Sequence, residues 1–260
     1  MWNLQEVRKK YRIIAVLPAY EAERTLEKTL NDIPSDWVDE VVLVDDASPD
    51  GTVAEARRLG LTPIVHAHNT GYGGNQKTCY TEALRREADV VIMIHPDHQY
   101  DPVLVPEMVL PILRGEADVV FGSRMLWKGG ARRGGMPWWK QVANIGLTLL
   151  ENSVLGLRLS EYHSGFRAYS RQVLQTLPFQ HNSNSFVFDT EFIIQCKVHG
   201  FRIREIPIPT RYFKDAHTVG FRAGVRYGIS IIFALCEYLM SRVKLRKSQK
   251  FSRSTVSATV

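Results

Sequence analysis

Cysteine is scarce in this chain. Three occur among 260 residues, Cys79, Cys196 and Cys236, far apart and with no C-x-x-C pair. An odd set of isolated thiols excludes a disulfide scaffold. Each lies in an apolar or helical stretch, which predicts buried, reduced thiols in a reducing compartment. Long hydrophobic runs are also missing. The longest, residues 229–240, is interrupted by Glu237 and falls short of the ~18–20 residues that span a bilayer. Residues 1–10 are mixed and polar, without the apolar core of a secretory signal. Charge of one sign is absent from the body of the chain. The net charge is +6, and the last twenty residues alone carry Arg242, Lys244, Arg246, Lys247, Lys250 and Arg253 with no Asp or Glu. Residues 1–240 are therefore balanced, so no basic face for a nucleic acid is expected. A basic tail suits an anionic surface, most simply a membrane.

Hydrophobic residues make up 45% and charged residues 23%, the composition of a globular chain long enough for one or two domains. The first half alternates short apolar runs with helical spacing. Residues 13–17 read as a strand buried on both faces, with Pro18 expected to end it. Residues 23–33 have helical spacing, with Leu26, Leu30 and Ile33 on one face. Residues 41–44, 63–65, 90–94 and 119–121 read as further strands and 52–59 as a short helix. Another helix is expected from the Gly71-Tyr72-Gly73-Gly74 turn to about residue 88. This alternation predicts an α/β fold, a Rossmann-like, mostly parallel sheet flanked by helices. In the second half, helices are expected over 138–155 and 189–199, an extended piece over 165–169 and a strand over 203–208. From Phe221 to about Val243 a C-terminal amphipathic helix is expected, with Val225, Ile229, Ile232, Leu235, Cys236 and Leu239 on one broad face. The expected organisation is a catalytic domain over 1–215, the amphipathic helix over 216–243 and a disordered basic tail over 244–260. The helix's apolar face would serve lipid, its own domain or a second copy of the chain in a homo-oligomer.

In open parallel sheets ligands bind beyond the carboxyl ends of the strands. The residues there are polar and specific. Pro18-Ala19-Tyr20-Glu21 follows the first strand, Asp45-Asp46 the second, His95-Pro96-Asp97-His98-Gln99 the fourth and Gly122-Ser123-Arg124 the fifth. Acidic clusters and an arginine at one sheet edge point to a nucleoside diphosphate held with a metal. Carboxylate and amide oxygens are hard ligands suited to Mg²⁺ or Mn²⁺. Metal and arginine together would neutralise charge appearing on a departing diphosphate. Plainer explanations exist for the same residues. Asp45 to Thr52 also reads as a turn with helix caps. His95-x-x-His98 has no third nitrogen or sulfur ligand nearby for zinc, and the glycine-rich turn lacks dinucleotide spacing. Trp138-Trp139 reads as core aromatics or as a membrane-interface anchor.

These motifs, in this order and together with Ser164-Gly165-Phe166-Arg167-Ala168-Tyr169, resemble family 2 glycosyltransferases. Within that family they look like the dolichyl-phosphate mannose synthase branch, from about residue 12 to about residue 217. The resemblance implies a GT-A fold, a nucleotide-sugar donor (a UDP- or GDP-sugar), a divalent metal and inversion at the anomeric carbon. It also implies a polyprenyl (dolichyl-type) phosphate acceptor at the cytoplasmic face of a membrane, and the short amphipathic helix with its basic tail predicts peripheral binding there. Pro18, Tyr20 and Glu21 would contact the nucleoside, and Asp46, with Asp45 beside it, would bind base or ribose. The family's Asp-Ala-Asp-x-Gln metal motif falls on residues 95–99. Asp97 and Gln99 match, and His95 replaces the first aspartate, as a ligand or as a neighbour of one. Arg124 matches the arginine that faces donor and acceptor phosphates. Lys140 sits where the family has a basic acceptor-loop residue. Arg211 lies in the segment of the closing loop, whose usual Gly-Glu-Ser-Lys pattern is absent.

A phosphate acceptor is already an anion, so no general base is required. Asp97, Arg124, Lys140 and Arg211 would act through position and charge. A sugar-hydroxyl acceptor would need a base, and Asp189 is then the candidate. His95 also raises the reading of a nucleotide-sugar-binding protein that has lost turnover.

Overall fold

The computed structural model describes residues 4–127, 129–209, 211 and 220–252. The expected boundary at 215/216 and the last eight residues of the tail lie outside the described residues. Alternation in the first strand, β1 (Ile13–Ala19), sets the architecture. Ile13, Ala15 and Leu17 enter one core, and Ile14 and Val16 enter the other, as period-two geometry requires. The strands β2 (Glu40–Asp45), β3 (Ile64–Val65), β4 (Val90–Met93), β5 (Val119–Ser123), β6 (Arg167–Ser170) and β7 (Ile203–Pro207) join it. They form one sheet in the order β3-β2-β1-β4-β6-β5-β7. Its pairings are parallel except those of β6, which runs antiparallel to β4 and β5. This is the mostly parallel α/β sheet that the sequence predicts.

Helices cover both faces. On one side lie α1 (Leu4–Arg8), α2 (Leu26–Asn31), α3 (Thr52–Arg58) and, later in the chain, α5 (Val105–Leu113). Leu26 of α2 and Val105, Met108, Val109 and Ile112 of α5 fill that core. On the other side lie α4 (Tyr72–Arg85), α8 (Arg171–Thr176), α9 (Phe188–His199) and α10 (Phe221–Arg242). Tyr80, Phe188, Phe192, Ile231 and Leu235 are buried there. The short α6 (Gly130–Arg133) and the long α7 (Trp138–Leu155) stand between β5 and β6 in the chain. α1, α6 and α8 are too short to show a periodicity. Pro111 inside α5 breaks the pattern that would have revealed it.

Three expectations need correction. Pro18 does not end β1 but pairs with Val44 inside it. The Val16 carbonyl accepts from Ile94 N, so Pro18, two residues on, faces the same side beyond the end of β4. Its missing N–H costs no ladder bond there. Second, α10 is longer than the uninterrupted apolar run. By length and composition Arg222–Arg242 could cross a membrane. It nevertheless buries Ile231, Ala234, Leu235 and Tyr238 against the domain. Third, residues 244–252 are not a loose tail. Phe251 is buried against Tyr238, with ring centroids 6.2 Å apart. The Lys250 ammonium donates to Glu191 at 2.6 Å and lies 3.5 Å from Glu237, while Ser248 Oγ donates to Glu237 at 2.8 Å.

Glycine is required where α4 begins. Gly71 has φ +88°, and a Cβ there would meet the Asn184 carbonyl at 2.6 Å. At Gly73 a Cβ would overlap the Ser183 carbonyl, and its N–H donates to Asn184 O at 2.8 Å. The glycine-rich turn therefore serves close backbone approach to the 183–184 loop.

The buried Phe251 generates a test. Phe251→Ala should lower stability by about 3 kcal/mol, read as a shift of the urea midpoint at unchanged slope. An unchanged midpoint would mean that this segment does not brace α10.

Candidate active site

The loops after β1, β2 and β4 are built under strain. Glu21, Ala47 and His98 all have left-handed backbones, at φ 52°, 58° and 55°. Such residues persist only where surrounding bonds over-determine them, and here the bonds are visible. Glu21 N donates to Ser48 Oγ at 3.0 Å, Ala22 N to Thr52 Oγ1 at 2.8 Å, and Gly51 N to Glu23 Oε2 at 3.1 Å. The first two loops are thus laced together side by side.

Asp45 and Asp46 are both bonded within the protein. Asp45 is fully buried and accepts from Ser48 N at 3.0 Å and Ser48 Oγ at 2.5 Å. Asp46 accepts from His66 Nδ1 at 2.7 Å, Thr70 N at 2.8 Å, Thr70 Oγ1 at 2.7 Å and Gly71 N at 2.9 Å. Burial alone would raise the pKa of Asp46, but the bonds from His66, Thr70 and Gly71 outweigh it and hold the group below the usual value. Pro18 is buried as well. Of the five expected nucleoside contacts, only Tyr20 and Glu21 are exposed at the rim.

The β4 loop carries the candidate metal residues. Asp97 is half-buried, and its Oδ1 accepts from Gln99 N at 3.0 Å. His95 stacks on Tyr72, with ring centroids 5.6 Å apart, and its Nε2 is 3.4 Å from the Tyr72 hydroxyl. Burial lowers the pKa of His95, which favours the neutral ring. His98 turns inward, 2.7 Å from Asp32 and 3.2 Å from Arg211. Arg211 N donates to the Gln99 carbonyl at 3.0 Å and its guanidinium to Asp101 at 2.6 Å, so Arg211 is seated on this loop. Among the described residues no three His, Cys, Asp or Glu side chains converge on one point. The donor set therefore fits a Mg²⁺-type ion held by one carboxylate and completed by phosphate oxygens and water, rather than a cage of protein ligands.

Asp189, the candidate base for a hydroxyl acceptor, is buried. Its carboxylate accepts from Tyr72 OH at 2.8 Å and Gln76 Nε2 at 3.3 Å, and it lies 3.2 Å from the buried Arg167 guanidinium. Each oxygen thus has a partner.

Arg124 and Lys140 form a second group. Lys140 lies over the Trp139 ring at 5.4 Å. Its pKa is lowered by desolvation and by the Arg124 charge. Arg124 lines a cleft of about 310 Å³ with Ser160, Gln141, Trp127 and Ile145. The cleft is polar at Arg124 and Ser160 and apolar at Trp127 and Ile145. Ile145 also belongs to the outer face of α7, where Trp138, Val142, Ile145 and Leu149 are exposed. Polar Asn144, Thr148 and Glu151 are buried on the inner face. The helix is inside out. On α10, Val225, Ile229, Ile232, Phe233 and Met240 are exposed as well, and Gly228 of α10 lies beside Leu147 of α7.

Sequence reasoning missed Glu161. It is fully buried and accepts from Arg124 N and Nε, both at 2.8 Å, and from Asn144 Nδ2 at 2.7 Å. Arg124 NH2 also pairs with it. No local signal marks it, because its partner Arg124 is 37 positions away.

Known proteins extend these observations. The model of glycosyl transferase family 2 matches residues 14–177. A UDP-N-acetylglucosamine–dolichyl-phosphate N-acetylglucosaminyltransferase of Methanococcus voltae is 27% identical, over 89% of this chain and 97% of that one. An undecaprenyl-phosphate mannosyltransferase of Micrococcus luteus is 30% identical, over 76% of this chain and 82% of that one. Among solved structures, glucosyl-3-phosphoglycerate synthase from Mycobacterium tuberculosis, in complex with Mg²⁺ and UDP, superposes with a TM-score of 0.70 at 21% identity, over 95% of this chain and 86% of that one. That likeness establishes the GT-A-type fold. With most of the sheet and its signature loops inside the matched span, the chain is a glycosyltransferase and belongs to glycosyl transferase family 2.

Proposed function

We propose that this glycosyltransferase moves a sugar from a nucleotide-sugar donor to a polyprenyl phosphate at a membrane surface, with inversion. The observation that carries the reading is the Arg124 cleft. Arg124 in its lining suits a phosphate, and Trp127 with Ile145, the latter on the exposed face of α7, suits an isoprenoid chain. The names of the two relatives, which specify dolichyl and undecaprenyl phosphates, support the same acceptor class.

In this mechanism Tyr20 and Glu21 contact the nucleoside, and the Asp45 and Asp46 carboxylates hold the loops that carry them. Asp97, with Gln99 and His95 on the same loop, would hold Mg²⁺ or Mn²⁺; the ion would offset charge on the donor diphosphate. An acceptor phosphate oxygen attacks the anomeric carbon opposite the diphosphate. The new C–O bond forms as the bond to the diphosphate breaks, and that electron pair leaves with the nucleoside diphosphate. A single displacement inverts the centre. The attacking oxygen is already anionic, so no proton has to be removed. Arg124 and Lys140 orient the acceptor phosphate, and Arg211 closes over the β4 loop. The engaged state of Asp189 argues against a sugar hydroxyl as acceptor.

Residues 1–215 make up the proposed catalytic domain, and the helix that follows helps seat it on the cytoplasmic face of a membrane, peripherally. The exposed faces of α7 and α10 supply apolar area, with Arg132, Arg133, Arg222, Arg226, Arg242 and Lys244 exposed around them. Each basic residue near anionic lipid adds roughly 1 kcal/mol before screening.

Two tests follow. Asp97→Ala, or EDTA added to the unaltered protein, should reduce transfer by about 10²-fold or more, measured as nucleoside diphosphate release; full activity in EDTA would exclude the metal. Val142→Glu with Leu149→Glu should abolish flotation with anionic vesicles, because each change places a charge on a face meant for lipid. Nucleotide-sugar binding, which uses other loops, should survive in that variant. Flotation equal to that of the unaltered protein would remove α7 from the membrane contact.

A further inference from the structure

The inner face of α7 bears on Arg124 through one carboxylate. Glu161 is gripped from two sides. From the active-site side, Arg124 donates its main-chain N and its Nε, both at 2.8 Å, and NH2 pairs with the same carboxylate. From α7, Asn144 donates Nδ2 at 2.7 Å. Arg124 NH2 also donates to the His163 carbonyl at 3.1 Å. The backbone of the Glu161 loop is itself tied to β7. Glu205 accepts from Ser160 N at 2.8 Å, Ser160 Oγ at 2.7 Å and Glu161 N at 3.1 Å.

This arrangement does more than satisfy a buried charge. A single carboxylate that takes both the main-chain N and the guanidinium of one arginine fixes that long side chain at its two ends. The fork then has one orientation at the cleft. Burial would raise the Glu161 pKa, but the Arg124 charge and its bonds hold it down, so the carboxylate stays ionised. Asn144 sits on the same helix whose outer face carries Val142, Ile145 and Leu149. Its neighbours Thr148 and Glu151 continue the chain of bonds inward, Thr148 Oγ1 to Asn144 Oδ1 at 3.3 Å and Thr190 Oγ1 to Glu151 at 2.9 Å.

We propose that Glu161 is a positioning residue for sugar transfer, which holds the Arg124 guanidinium against the acceptor phosphate, and that Asn144 makes this hold depend on the seating of α7. The inference rests on the polyprenyl-phosphate reading above. On that reading, lipid contact on the outer face of α7 and arginine orientation on its inner face are one event. The donor half of the site, at Tyr20, Glu21 and Asp97, lies on other loops.

The test uses the full chain, with polyprenyl phosphate in anionic vesicles and UDP-glucose, UDP-N-acetylglucosamine and GDP-mannose assayed in parallel. Asn144→Ala and Glu161→Gln are compared with the unaltered protein for kcat, acceptor KM and the dissociation constant of the nucleotide sugar. A misplaced reacting group costs catalysis steeply, so both variants should lose about tenfold or more in kcat. Their donor dissociation constants should stay within about twofold, which a general loss of structure would not allow. Should Glu161→Gln fail to fold, Asn144→Ala decides, because it leaves the Arg124–Glu161 pair whole. A folded Asn144→Ala protein with unaltered kcat on the lipid acceptor, or with donor binding lost in proportion to kcat, overturns the proposal. An unaltered protein that transfers to no isoprenyl phosphate overturns the earlier functional reading instead, and this inference with it.

Discussion

A carboxylate taken out of water must be ringed by donors, and at Asp46 that requirement organises the carboxyl edge of the sheet. Its four hydrogen bonds draw His66, Thr70 and Gly71 onto the end of β2. His66 passes the tie on to Thr78 of α4 at 2.9 Å. Gly71 then starts α4 against the 183–184 loop, and α4 delivers Tyr72 to both His95 and Asp189. Remove the carboxylate charge and each of these placements loses its anchor. The group's lowered pKa means that it contributes stability above the unfolded carboxylate pKa, and that this contribution is lost as the pH falls through the lower folded value.

Signature residues here are largely spent inward. Asp45, Asp46, Asp189 and Arg167 are all buried and bonded within the protein. The outward surface near the cleft is apolar instead. α7 states this most clearly, with Asn144, Thr148 and Glu151 inside and Trp138, Val142, Ile145 and Leu149 outside. In water that arrangement forfeits apolar burial worth about 1.5–3 kcal/mol per large side chain. A partner that covers the face restores it.

Much of the fold was legible in the sequence, and the reasons for the failures are physical. Continuous apolar runs gave β1, β2, β4 and β5 because both faces of those strands are buried. α7 was legible to the residue as Trp138–Leu155, but its orientation was not. Periodicity shows that a stripe exists; it does not show which stripe meets the protein. The motifs located the loops of the site, yet not the direction of their side chains. Asp46 looks like a ligand contact in sequence, and its donors lie 20–25 positions later. Glu161 had no signal at all, since its meaning comes from Arg124 and Asn144. The basic tail was read as loose because charge alone was counted. Phe251 and Ser248, which are both buried, were the residues that tied it down.

The cation pair at the cleft connects fold to proposed chemistry. Arg124 and Lys140 are brought close enough that Lys140 is destabilised as a cation, first by desolvation and then by the arginine's charge. Glu161 pairs with Arg124. A bound anion at the mouth of the cleft would relieve both effects, whereas a neutral hydroxyl would relieve neither. An anion with no hydrocarbon would leave Trp127 and Ile145 uncovered. On the proposed reading, a phosphate monoester on a long apolar chain would meet both Arg124 and the apolar lining of the cleft, with its tail toward the exposed face of α7.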